Sequence, residues 1–497
     1  MTASLFRHNA LGSLPPIRKR ICQSVLIACG VFFATIQPLW AQALLRDAEI
    51  EEFLADYSHP IFEAAGLEPE NIDILLLAGP PNAFAGGQTM GIFTGLITTA
   101  DTPNQIEGVI AHEAGHIAGG HTARSDEALA SATRPMLLSL VLAAGAVAAG
   151  APDAGLGILG LGQTIGVANA LKYSRSQESA ADQAAVSYLD EIGHSSQGLI
   201  EFFGKLRNSQ IITGYRTNPY FQTHPLANAR ITALRERAGA SPHFEAKDSE
   251  DEVYRLRMIQ AKIHGFLDQA HHTLRRYPET DQSDPAHYAR AVAYYRSANI
   301  DRGLKEIDYL LDKFPENEFF HELKGQMLFE FGRVADSIEP HKTSVQLDPT
   351  EPLFRINLGR AYLATEDKTQ MPMAVQEFKA ALLAEPDNSF AWFEMARAYG
   401  AMENEPMAYL ATAESKYHTR QNIEAAQFAQ RAMRGLERGT PEWQQAADII
   451  FAATGKGPNE FLNEQRDRKR PAPQDRRDPN EQDVPDPTFR GKNHQQF

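Results

Sequence analysis

The chain has 497 residues, more than one ordinary core serves, and its net charge of -15 excludes a general nucleic-acid binder, which would be basic. Its only cysteines, Cys22 and Cys29, lie within the first 43 residues, so a chain cut after that segment has neither disulfide staples nor thiolate ligands.

That first segment reads as an export signal. Arg18, Lys19 and Arg20 form a basic start, no acidic residue precedes Asp47, and Ile21 to Leu39 is largely apolar. Ala41-Gln42-Ala43 then supplies a small-x-small cleavage pattern. The expectation is a cleaved signal over 1–43; an uncleaved anchor is the other reading. Leu26-Ile27-Ala28-Cys29 is similar to a lipoprotein box, but the apolar run continues past Cys29, which disfavours lipid anchoring there.

Arg46 to Ala65 shows the helical period, with Ile50, Phe53, Leu54, Tyr57 and Phe62 as apolar positions. Ile72 to Leu77 suits a buried strand, Pro80 and Pro81 break it, and Gly86 to Leu96 alternates weakly as a second strand would. Thr102-Pro103 opens a helix, Thr as cap and Pro at the first position, with Gln105 completing a capping box. Ile106, Val109 and Ile110 carry that helix into Ala111-His112-Glu113-Ala114-Gly115-His116.

Two histidines four apart on a helix point the same way, one turn apart, and can grip one zinc ion. Glu113 stands beside them, placed to take the proton of a water whose pKa the zinc lowers towards about 7. A third ligand is needed. His121 follows His116 by five residues, where the extended pattern of some zinc proteases demands six, so His121 reads as a supporting residue rather than a ligand.

From Met136 to Ala151 no residue is charged, and a Gly-rich apolar stretch runs on to Ala168. Neither half reaches the roughly 20 residues of a spanning helix, which leaves a packed helix pair or a peripheral membrane contact through 136–168. Beyond it, Ser176-Gln177-Glu178-Ser179-Ala180-Ala181-Asp182 offers a better third ligand. Glu178 and Asp182 face one way on a helix. Glu178 would bind the metal, and Asp182 would accept the free ring N–H of a ligand histidine. The small residues around them suggest close packing.

Helical periodicity dominates 245–455, and prolines recur at 278, 315, 349 and 386, near the 34-residue period of tetratricopeptide repeats. Trp392, Met395, Ala396 and Tyr399 fit the first helix of such a repeat; Leu358, Gly359 and Tyr362 fit the preceding one, and Tyr288, Ala291 and Tyr295 fit more loosely. Four to five repeats would stack large residues of one helix on small residues of the next and leave a concave surface for partners. After about Asn463 the chain is polar and Pro-rich, and 456–497 is expected to be a disordered tail.

The His112-Glu113-x-x-His116 motif with Glu178-x-x-x-Asp182 resembles the HtpX-like and CAAX-prenyl-protease superfamily of zinc gluzincins. Asn82-Ala83-Phe84-Ala85, Phe93-Thr94-Gly95-Leu96, Thr223-His224-Pro225 and Arg230-Ile231 resemble further stretches of that family. With an export signal before and repeats behind, the chain is similar to the BepA-like branch from residue 44 to about 455.

The resemblance implies an α+β, mostly α, architecture: a zincin-type metallopeptidase domain with a small sheet over 44–244, then an α-solenoid of repeats over 245–455. It implies one zinc per chain held by His112, His116 and Glu178, with Glu113 as general base and Asp182 behind the ligands. It also implies an edge strand within Ala85 to Gly95 that pairs with extended substrate. His224 would either occupy the zinc's open position and hold the enzyme off, or stabilise the oxyanion; Arg230 would do likewise or brace the site. The implied role is a periplasmic protease in outer-membrane protein quality control, acting on unfolded or stalled outer-membrane proteins, with repeats that recruit the barrel-assembly machinery. The competing roles are a chaperone-like adaptor with a latent site, a protease using His121, and a membrane-embedded prenyl-protein processing enzyme.

Overall fold

Asp47 opens the first helix, α1 (Ala48–Ala64), by accepting a hydrogen bond from the Ile50 N–H. The five apolar positions expected along it are buried and face one core, together with Ile61. The computed structural model describes residues 44–124, 133–143, 152–213, 220, 223–225 and 228–469. The segment 1–43, expected to be an export signal, and the stretch 470–497 lie outside it. The chain divides into two compact units, one to Lys313 and one from Phe314.

In the first unit, β1 (Leu44–Leu45), β2 (Asp73–Leu77), β3 (Ala83–Gly86) and β4 (Thr89–Phe93) form one sheet in the order β1-β2-β4-β3. The weakly alternating stretch after Pro81 is therefore a hairpin, not one strand. Gly87, at φ +63°, makes the reversal. Strand β4 pairs in parallel with β2 and antiparallel with β3, so β1 and β3 are the two edges, and only Ala85 and Gly86 of the expected edge segment belong to β3. Gly91 lies under the Phe84 ring, where a Cβ would come within 2.2 Å of the ring carbons.

Helix α2 (Thr94–Thr99) leads to α3 (Pro103–Ala118), whose Pro103 opens the first turn as expected. The expected capping box is absent: Thr102 accepts no cap hydrogen bond, and Gln105 Oε1 instead accepts from the Asp101 N–H. Thr102 is engaged by Asp248. A helix over 133–143 (α4) and the 40-residue α5 (Pro152–Glu191) follow, then α6 (Gln197–Thr213) and α7 (Asn228–Ala238). Among the described residues no helix is long and apolar enough to cross a membrane. Leu137, Leu138, Leu140, Val141 and Leu142 of α4 are nevertheless exposed.

Helix α8 (Glu250–Leu267) starts in a full capping box between Ser249 and Glu252. It gives Leu256, Ile259 and Ile263 to the same core as α1 and α3. Its buried Lys262 pairs with Asp47 and Glu49. Helical pairs continue with Asp284–Arg296 and Ile300–Lys313.

The second unit is built of such pairs: α-helices Glu318–Glu330 with Val334–Leu347, Pro352–Ala364 with Met371–Ala384, Ser389–Ala401 with Glu405–His418, and Asn422–Gly435 with Pro441–Thr454. Gly325 lies against the His341 ring and Gly359 against the Phe378 ring, a small residue of one helix receiving a ring of the next. This is the α-solenoid read from the sequence. Part of the segment expected to be a disordered tail is ordered: Pro458–Lys469 is a helix, anchored by Phe461, which packs with Ile449 and Ile450. One buried ring was enough to order a segment whose composition is otherwise polar.

Candidate metal centre

Helix α3 carries His112, Glu113 and His116 on its buried face. Gly108 and Gly115 let other helices approach it closely. A Cβ on Gly108 would lie 2.7 Å from the Leu199 backbone of α6, and one on Gly115 would lie 3.0 Å from the Ala181 Cα and 3.2 Å from the Ala184 Cβ of α5. The small residues of α5 therefore serve to bring Glu178 to the histidines. Gly115→Leu should force the two helices apart, destabilise the unit by about 1–3 kcal/mol and weaken metal retention, as read by urea denaturation and metal content.

The nitrogens and carboxylate oxygens of His112, His116, Glu178 and His224 lie within 4.8 Å of one another. His112 Nε2 is 3.2 Å from His116 Nε2, 3.4 Å from His224 Nδ1 and 3.5 Å from Glu178 Oε2. Glu178 Oε1 is 3.4 Å from His116 Nε2 and 3.2 Å from His224 Nδ1. Donors at the corners of a tetrahedron with bonds of about 2.0–2.1 Å lie about 3.3–3.4 Å apart, so these five contacts are of the size a zinc-type ion requires. Glu113 is fully buried, and its Oε2 has no hydrogen-bond partner among the described residues, as befits a group aimed at something else that binds there.

The electrostatics agree. Burial disfavours a charge on His112, but contacts with Asp182 and Glu178 outweigh it and raise its pKa to about 9. The buried carboxylates on both sides of the ring thus favour positive charge at His112. Burial alone would raise Glu178, yet hydrogen bonds with His112 and His224 hold it well below the usual carboxylate range. Burial and the neighbouring His112 push His116 far down, so it is a neutral donor.

Around these lies a supporting layer. His112 Nδ1 is 3.1 Å from Asp182 Oδ1, close in distance although its alignment falls short of a full hydrogen bond. Arg230 of α7 grips Asp182 with Nε and Nη2, both at 2.7 Å, and its Nη1 donates to Glu178 at 2.6 Å and to the Pro225 carbonyl at 3.0 Å. Arg230 therefore holds Asp182 and Glu178 together. His121 Nδ1 lies 2.9 Å from His116 Nδ1, away from the donor cluster, as its spacing suggested. Next to the edge strand, Thr122 Oγ1 donates to the Ala85 carbonyl at 3.2 Å.

Sequence reading missed Tyr220. It is buried, stacks on the His224 ring at 4.7 Å, and its hydroxyl lies 3.5 Å from Glu113 Oε1. Burial, then the charge of Glu113, push its pKa well up, so the phenol stays protonated. The signal was an aromatic residue one helical turn before His224, meaningful only once His224 is placed.

Comparison with known proteins points the same way. The model of peptidase family M48 matches residues 45–238. The chain is 25% identical over 341 residues, 67% of its length and 67% of the relative's, to the beta-barrel assembly-enhancing protease of Escherichia coli. A relative from Vibrio cholerae is 24% identical over 288 residues, of which the match spans 58% of that protein. Metalloprotease YcaL of Escherichia coli is 34% identical over 146 residues, 29% of this chain and 53% of that one. The matches thus span roughly three fifths to two thirds of the two longer relatives.

Proposed function

Because the model of peptidase family M48 matches residues 45–238, we propose that the chain is an exported zinc metalloendopeptidase that cuts unfolded or stalled outer-membrane proteins in the periplasm. One observation carries this reading: His112, His116, Glu178 and His224, from three separate segments, bring four possible metal donors within 4.8 Å of one another, with the Glu113 carboxylate beside them. A zinc ion bound there supplies Lewis acidity to water and to the scissile carbonyl. His112, His116 and Glu178 hold it. Glu113 accepts the proton of the attacking water on a carboxylate oxygen and returns it to the leaving amine. Asp182 orients His112, and Arg230 fixes Asp182 and Glu178 in place. The Ala83–Gly86 edge lies against α3 and offers its backbone to an extended substrate.

His224 at the fourth corner favours a second state of the same site, in which a protein ligand stands where substrate and water would bind. In that state the chain would act through its repeats, as an adaptor for barrel assembly, with the peptidase held off. The apolar face of α4, and with it a peripheral membrane contact through 136–168, belongs to this proposal as well.

The test is metal-dependent proteolysis. The purified chain should contain about one zinc. Chelation should abolish cleavage of unfolded casein, and stoichiometric zinc should restore it. Glu178→Ala should lose most of the metal. Full zinc retention in that variant, or cleavage indifferent to chelation, would refute the assignment.

A further inference from the structure

Three neighbouring first helices of the second unit, Glu318–Glu330, Pro352–Ala364 and Ser389–Ala401, lie side by side. Arg360 stands on the middle one. Its guanidinium carbon is 5.0 Å from the Phe329 ring centroid on one neighbour and 5.5 Å from the Phe390 ring centroid on the other. Two rings hold the cation in place while leaving its charge in force. Nη1 donates to Asn357 Oδ1 at 3.3 Å, and Asn357 in turn donates to Glu322. No carboxylate pairs with Arg360 among the described residues, whereas Arg355 and Arg397, on the same two helices, are ion-paired to Glu377 and Glu394.

Beside this fixed cation, Phe390 is 46% and Phe393 is 50% exposed. Both lie on one side of their helix, three residues apart. A preoriented arginine with spare donors next to half-exposed rings is the composition of a binding hot spot, not of a solvated face.

We propose that this face docks an extended peptide segment bearing a carboxylate next to an aromatic side chain. A single arginine fork matches one carboxylate in bidentate fashion; a phosphate-rich partner would call for several cations, and the chain's charge of -15 opposes one. The aromatic neighbour of the carboxylate packs on Phe390 and Phe393. The inference concerns partner capture, uses none of the metal chemistry, and stands or falls apart from it.

The test uses the full chain carrying Glu113→Gln, so that a probe is not cut. The probe is a fluorescein-labelled decapeptide with an Asp-Phe core in a Gly-Ser frame, followed by anisotropy. Binding should saturate below about 1 mM. It should weaken at least about tenfold with Arg360→Gln, with Phe393→Ser, and when the peptide carries Asn-Phe or Asp-Ala instead. Arg360→Lys should not restore it, because the stacked fork is lost. Thermal midpoints of the variants show that each is folded. No saturable binding by the folded chain, or equal binding by all four peptide and protein variants, would overturn the proposal. A lowered midpoint with unchanged binding would make Arg360 a brace between repeats and overturn it too.

Discussion

Glu113→Gln should leave zinc content unchanged and lower casein hydrolysis by a factor on the order of 10³, the middle of the range a positioned general base contributes. The substitution preserves shape in a position that is fully buried and on the face of α3 that carries both histidines. The amide cannot take up a proton, so the reaction is halted without disturbing the donors. Tyr220 can still donate towards the remaining oxygen, which keeps the variant close to the parent in fold. The measurement is initial rate and metal content on the same preparation. A variant that cleaves as fast as the parent would remove Glu113 from the chemistry.

Arg230→Ala should destabilise the first unit by about 3–5 kcal/mol, more than any other single change at this site. Arg230 is buried and divides its donors between Asp182 and Glu178, which are buried as well. Its removal leaves two carboxylates side by side without the cation that offsets them. Arg230→Lys should recover little of the loss, because an ammonium cannot bridge both acids and the Pro225 carbonyl at once. Urea denaturation of the zinc-loaded chain reads the effect. A loss below about 1 kcal/mol would place the stabilisation of Glu178 elsewhere.

Much of this architecture was legible from spacing. The period of α1, the strand at Ile72 to Leu77 and the histidine pair on α3 are local signals, and each sits where the chain is locally consistent. Glu178 was legible because small residues around it declared a close helix contact, which Gly115 and Ala181 realise. The repeats were legible because their packing rule recurs. What could not be read depends on contacts remote in sequence. The Gly86 to Leu96 stretch gave no sign that β4 would be central, since pairing with β2 is a tertiary choice. The capping box failed because Asp248 competes for Thr102. Tyr220 looked like one aromatic among many until His224 was placed against it. Helix α8 shares its polarity with the repeats, and that its Leu256, Ile259 and Ile263 join the α1 core, with Lys262 paired to Asp47 and Glu49, is a tertiary choice.

The donor set also has a mechanical meaning. His112 and His224 are 112 positions apart, and Glu178 and His224 are 46 apart, so an ion held among them ties large loops shut as a covalent staple would. The residues from 44 onward contain no cysteine, so no disulfide could do this in their place. Under the proposed function, the chain's endurance would track the supply of metal: starved of zinc, the chain would forfeit its scissors and its clasp together, and itself become prey for neighbouring proteases.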